Sequence, residues 1–252
     1  MPAVCLVSTD TDIAPLVAAI PESYSVYAIA AEELVPVGGR VTPVGDFDEL
    51  PDNTILVAFC DPYAEESEDL AAEVDNLTNA LFIVNATGST ATRFAQSTLE
   101  DQSVAAFTYV PSMFEANPVL EISTAIQLSP AQAGQAVAQM RLAFPGKQIE
   151  VVQDRVGHIA LRTLAMVINE AAFAVMEGVA TPAEIDTAMK LGTGYPTGPL
   201  EWCDRISAYT VVNLLDALND DYRDERYRAC ILLRQMARAG RKFYDEEVGS
   251  RQ

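Results

Sequence analysis

Residues 54–85 read TILVAFCDPYAEESEDLAAEVDNLTNALFIVN. Two short apolar runs, TILVAF (54–59) and LFIVN (81–85), flank a polar stretch of helical length. Runs of that kind suit strands covered on both faces, as in a parallel sheet. Between them DPYAEESEDLAAEVDNL (61–77) predicts a helix: Asp61 suits the N-cap, Pro62 the first helical position, and acids fill the early turns. Working outward, the same alternation continues. AVCLVS (3–8) precedes the helix-like IAPLVAAI (13–20), and YSVYAIA (24–30), SVAAFTYV (103–110), VLEIS (119–123) and QIEVV (148–152) are further strand candidates. Ser129, Pro130 and Gln132 form a capping box that opens a helix over 131–144, and Pro145-Gly146 turns the chain into its last strand. Repeated strand–helix alternation predicts an α/β domain over residues 1–152, with a doubly wound parallel sheet.

Beyond residue 153 the strand signal stops. HIALRTLAMVINEAAFAVMEG (158–178) is helical with apolar residues on nearly every face, which predicts a central, buried helix ended by Gly178. Thr181, Pro182 and Glu184 form a second capping box ahead of AEIDTAMKL, with Gly192 as its stop. GTGYPTGP (192–199) is a loop, and AYTVVNLLDAL (208–218) and CILLRQMARAG (230–240) are amphipathic helices. An all-helical domain over 153–252 therefore follows the α/β domain.

The chain has 252 residues, with 36 acidic against 16 basic side chains and a net charge of −20. Residues 1–152 hold 21 acids and 4 bases, giving −17, and residues 153–252 hold 15 and 12, giving −3. Such a surface repels phosphate and excludes a general nucleic-acid binder. Many carboxylates with only 3 lysines against 13 arginines is the pattern of proteins from salt-loving organisms. No apolar run reaches the length of a membrane span, and MPAVCLVSTD lacks the basic start of a signal peptide, so a cytoplasmic protein is expected. Cys5, Cys60, Cys203 and Cys230 stand far apart with no CxxC pair, so buried thiols are expected rather than zinc or disulfides.

The stretch 178–206, GVATPAEIDTAMKLGTGYPTGPLEWCDRI, resembles the C-terminal domain of the 3-hydroxyacyl-CoA dehydrogenase family. It does so through Glu184-Ile185-Asp186, Met189-Lys190-Leu191-Gly192, Gly194-Tyr195-Pro196 and Gly198-Pro199. LLRQMARAG (232–240) and FYDEE (243–247) fit the same family. The resemblance implies a Rossmann-like NAD-binding domain ahead of a helical domain that dimerises, with NAD and a 3-hydroxyacyl-CoA meeting between them. It also implies functional residues, and most are missing. The three glycine positions of the family's GxGxxG turn fall on Ser8, Asp10 and Ile13, and Asp10 and Asp12 place negative charge where a pyrophosphate belongs. The family's catalytic histidine, in a motif close to HFFNP, falls on Phe107 in FTYVP, and its asparagine falls on Leu161. Glu121 retains the family's glutamate, and Thr87 in NATGS retains its hydroxyl-bearing residue; these two are the catalytic candidates the resemblance leaves. The family's long helical hairpin after the second strand has no room here, and AGRKFYDEE (239–247) shortens a glycine-rich segment.

Those losses imply a relative that keeps the fold and the dimer surface without catalysis, binding an acyl-CoA or a protein partner and needing no cofactor. The alternative is an active NAD-dependent 3-hydroxyacyl-CoA dehydrogenase. Repurposed chemistry would draw on Glu121, Tyr195 or His158, the single histidine of the chain. A lone histidine at the start of a long helix is more often structural than catalytic.

Overall fold

The computed structural model describes residues 2–8, 12–30, 39–51, 54–58, 81–96 and 103–245. It divides into two compact units, Met1–His158 and Ile159–Gln252. The segment 153–158 thus belongs to the first unit, although a boundary after residue 152 is expected from the sequence. The predicted helix over 61–77, Asp10 and Cys60 lie outside the described residues.

The first unit is built on an eight-stranded sheet. Its strands are β1 (Ala3–Ser8), β2 (Ser25–Ala30), β3 (Val41–Pro43), β4 (Ile55–Ala58), β5 (Leu81–Asn85), β6 (Ser103–Phe107), β7 (Val119–Thr124) and β8 (Gln148–Val151). They lie in the order β3-β2-β1-β4-β5-β6-β7-β8. The first six strands of that order run parallel, which gives the doubly wound Rossmann-like arrangement. Successive residues of a strand serve opposite faces. Val4 and Leu6 join one core and Cys5 the other; Leu81 and Ile83 oppose Phe82 and Val84; Ala105 and Phe107 oppose Val104 and Ala106. Two cores on two faces explain why these strands read as unbroken apolar runs. Each large side chain so buried contributes about 1.5–3 kcal/mol.

β7 departs from the expected all-parallel sheet: it runs antiparallel to β6, with Phe107 opposite Ile122. The link 108–118 holds only the short helix α3 (Pro111–Ala116). A parallel return needs a crossover of about a dozen residues or more, and this link is too short for one. Helices α1 (Ala14–Ala19), α2 (Ala91–Phe94) and α4 (Pro130–Ala143) complete the described part of the unit. Ser129 and Gln132 cap α4 reciprocally, as the sequence predicts. Burial pushes the Cys5 thiol up to about 12, so it stays protonated and inert at neutral pH.

The second unit consists of α5 (Ala160–Met176), α6 (Pro182–Thr193), α7 (Pro199–Ile206), α8 (Ala208–Tyr222) and α9 (Ile231–Ala239). α5 packs on α7, α8 and α9, and its Leu161, Ala165, Ile168 and Ala172 are buried. Its buried Asn169 donates to Arg228 O and accepts from Cys230 N, pinning the chain ahead of α9. The Thr181–Glu184 capping box opens α6. That helix runs past Gly192 and ends at Gly194, whose φ of 74° supplies the left-handed stop. Among the described residues no helix is long and apolar enough to cross a membrane, and no group of His, Cys, Asp and Glu could hold a metal ion.

Candidate active site

In a doubly wound sheet ligands bind beyond the carboxyl ends of the parallel strands. At that edge β5 ends on Asn85, and its side chain ties two loops together. Asn85 Oδ1 accepts from Tyr109 N (3.0 Å) and Thr87 Oγ1 (2.8 Å), and Nδ2 donates to Tyr109 O (3.1 Å). The candidate Thr87 hydroxyl is therefore committed as a donor within its own turn. In the same loop Ser89 Oγ is buried without a hydrogen-bond partner, a state that costs about 1–3 kcal/mol.

β6 ends on Phe107, the position matched to the family's histidine. Its ring is fully buried in the core, with its centroid 5.9 Å from that of Tyr109. The next residue, Thr108, is half-buried at the strand end, and antiparallel order carries Glu121 of β7 towards it. Sequence reasoning missed what meets them there. His158, 3% exposed, places Nδ1 3.3 Å from Thr108 Oγ1 and Nε2 3.0 Å from Ser123 Oγ. Ser123 Oγ in turn donates to Asp154 Oδ1 at 2.7 Å. Asp154 also accepts from Ala91 N (3.0 Å) and Thr92 N (2.7 Å), holding the start of α2. The retained Glu121 thus has an imidazole to act on. Burial pushes the imidazole below its ordinary value, while the carboxylates of Glu121 and Asp154 and the Glu121 carbonyl pull it up. Burial prevails, so the ring is neutral at pH 7.

His158 reaches this place through unusual backbone. Gly157 has φ of 71° and His158 φ of 46°, both left-handed. Gly157 N donates to Ala86 O at 2.7 Å, fixing the turn against the β5 loop. The left-handed region is uncommon for a histidine. The ring's two hydroxyl contacts anchor it on the far side of that turn.

The remaining candidates lie within their own units. Leu161 is a fully buried core residue of α5, and Tyr195 is an exposed residue of the 194–198 loop. Ser8 ends β1, and Ile13 is buried beside α1. Asp12 Oδ1 accepts from Ala14 N at 3.0 Å, so a carboxylate sits at the start of α1, a helix of six residues. That carboxylate disfavours a pyrophosphate at this helix start, and the rest of the turn, residues 9–11, lies outside the described residues.

The signature stretch of the second unit has a structural explanation. Gly198 is the N-cap of α7 and has no side chain to accept from the helix. Asp186 of α6, 1% exposed, does so instead: Oδ1 accepts from Leu200 N (2.9 Å), and Oδ2 from Glu201 N (2.8 Å) and Tyr244 Oη (2.7 Å). Glu201 accepts from Gly198 N at 3.0 Å and pairs with Lys190 at 2.7 Å. Asp186, Lys190, Gly198 and Glu201 therefore form one junction between α6 and α7.

The junction lies within the stretch that comparison with known proteins matches. Residues 157–249 match the model of the 3-hydroxyacyl-CoA dehydrogenase C-terminal domain. The chain is 47% identical over 92 residues to 3-hydroxyadipyl-CoA dehydrogenase of Escherichia coli, covering 36% of this chain and 19% of that protein. It is 38% identical over 138 residues to a probable 3-hydroxybutyryl-CoA dehydrogenase of Bacillus subtilis, covering 52% of this chain and 48% of that one. The matches thus span about half or less of these relatives. The crystal structure of FadB2 from M. tuberculosis shares the fold, with a TM-score of 0.83 at 20% identity over 96% of this chain and 97% of that one. Fold and signature define a Rossmann-like α/β unit joined to a helical dehydrogenase C-terminal domain. Residues 157–249 are similar to the C-terminal domain of the 3-hydroxyacyl-CoA dehydrogenase family.

Proposed function

We propose that this chain is an oxidoreductase of 3-hydroxyacyl-CoA metabolism that uses a nicotinamide dinucleotide, with His158 as its imidazole. The observation that carries this reading is the position of His158. The sole imidazole lies at the carboxyl end of β6, within reach of Thr108 and near Glu121 and Asp154. A neutral imidazole flanked by carboxylates suits general-base work on a hydroxyl. The family likeness of the second unit supports the same substrate class, and with it the expectation of a cofactor-free protein gives way. A second reading, a relative that keeps the fold and binds an acyl-CoA or a protein partner, is favoured by one observation: the Asp12 carboxylate at the start of α1.

The two separate in a single preparation. NADH oxidation with acetoacetyl-CoA, followed by NADH absorbance, is expected to exceed about 1 s⁻¹, the low end of ordinary enzymes. Calorimetric titration is expected to show NADH binding. Absence of both, from a protein that melts cooperatively, overturns the oxidoreductase reading in favour of the binding role.

The proposal includes a homodimer through the second unit. α5 leaves Met166, Val167, Phe173 and Val175 only half-buried, and Leu191, Val179 and Ile231 are exposed. So small a unit cannot bury all its apolar faces alone. Light scattering at low micromolar concentration should give twice the chain mass, and a monomer there overturns the dimer.

A further inference from the structure

The hydrogen bonds around His158 have a definite polarity. An ionised carboxylate only accepts, so Ser123 spends its single hydroxyl proton on Asp154 Oδ1. The oxygen of Ser123 is then left to accept, and the Nε2 it faces at 3.0 Å must carry the imidazole proton. In the neutral ring Nδ1 then carries no proton; the hydroxyl of Thr108 faces it at 3.3 Å, and the Glu121 carbonyl is a further hydrogen-bonding neighbour of the ring. That distance is long for a hydrogen bond, as is common for catalytic pairs before substrate arrives. Asp154 is itself fixed by two backbone N–H groups of α2. The chain of groups has a rigid inner end and, at Thr108, a half-buried outer end on the ligand edge of the sheet.

We propose that Thr108, His158, Ser123 and Asp154 form a proton relay in which Thr108 Oγ1 exchanges a proton with a substrate oxygen. It rests on the oxidoreductase reading for the substrate class. In the forward direction the O–H bond of a substrate hydroxyl breaks and its proton joins Thr108 Oγ1. The former Thr108 proton passes to His158 Nδ1, and the substrate oxygen keeps the electron pair. The imidazolium so formed is stabilised by Asp154 through Ser123, and by the Glu121 carboxylate from β7. In reverse the relay returns the proton to the alkoxide oxygen. Thr108 is the catalytic residue, because it touches the substrate; His158, Ser123 and Asp154 hold and position the proton behind it.

The chain has one histidine, so long-range nitrogen NMR of the imidazole needs no assignment. At pH 7 the wild type should show a neutral ring protonated at Nε2, and Ser123→Ala should lose that preference. Turnover of acetoacetyl-CoA should fall about 10²-fold or more in Thr108→Val and return in Thr108→Ser, and fall about 10²–10⁴-fold in His158→Gln. The acid limb of the wild-type rate profile should lie below pH 6.5. Saturating acetoacetyl-CoA should shift the Nδ1 resonance in the wild type and not in Thr108→Val. An Nδ1-protonated ring, an imidazolium at pH 7, or full turnover in Thr108→Val overturns the relay. If the wild type turns over nothing, the oxidoreductase reading fails by itself. The relay then stands or falls on whether acetoacetyl-CoA moves the Nδ1 resonance through Thr108.

Discussion

Gly198→Ala should cost the second unit about 3–5 kcal/mol, a large fraction of the stability of an ordinary domain. A Cβ built at Gly198 lies 2.2 Å from Asp186 Cγ, 2.3 Å from its Cβ and 2.5 Å from Oδ1. The contact with Cβ matters most, because no rotamer of residue 186 removes it. Relief requires α6 and α7 to move apart. That movement strips Asp186 of its bonds to Leu200 N, Glu201 N and Tyr244 Oη and leaves a buried carboxylate short of partners. Gly192→Ala is the control. A Cβ at Gly192, inside α6, meets nothing within 4 Å, and exchanging a helical glycine for alanine should stabilise by about 0.5–1 kcal/mol. Urea unfolding followed by circular dichroism reads both variants. Equal midpoints for Gly198→Ala and the wild type would show that the close approach is not a constraint.

This junction also shows why the second unit is the more legible part of the sequence. Its signature joins residues whose reasons are local: Asp186, Lys190, Gly198 and Glu201 meet across one helix–loop–helix turn. Spacing along the chain is therefore a direct record of the geometry. The strands of the first unit are legible for a similar reason. Two buried faces demand unbroken apolar runs, and AVCLVS, LFIVN and SVAAF stand where those runs predict β1, β5 and β6. The direction of β7 is less visible, since it depends on the length of the 108–118 link rather than on any residue in the strand.

The candidate site is legible only in part, because its members come from distant segments. Thr108, Ser123, Asp154 and His158 share no sequence pattern, and α2 joins them only through backbone N–H groups. One signal was available. Gly157-His158 precedes the long helix, and a glycine before the only histidine marks a turn able to swing that ring back towards the sheet. The register of β6 and β7 then decides which hydroxyls receive it, and register is a property of the folded sheet. Matching by motif led instead to Phe107, the right strand end with the wrong side chain.

Placing a histidine at Phe107 should therefore damage the protein without restoring chemistry to it. The ring of Phe107 points into the core shared with Tyr109, Phe114 and Ile122, on the face opposite Ala106 and Val104. Phe107→His leaves space unfilled and buries two ring nitrogens among apolar groups. Together these should cost about 2–5 kcal/mol. An imidazole buried there has its folded pKa depressed below the ordinary value of about 6.5. Between the two values the unfolded chain binds the proton and the folded chain does not. Stability is therefore lost further as pH falls through that window, and the gap to wild type should be wider at pH 5.5 than at pH 8, both chosen to bracket about 6.5. Turnover of acetoacetyl-CoA should stay at or below the wild-type level, because the proton-handling ring is already supplied by His158. Urea midpoints at the two pH values and initial rates at saturating NADH test this together. A tenfold rise in rate with unchanged stability would show that residue 107 faces the ligand edge after all, and that the relay through Thr108 is not the route the proton takes.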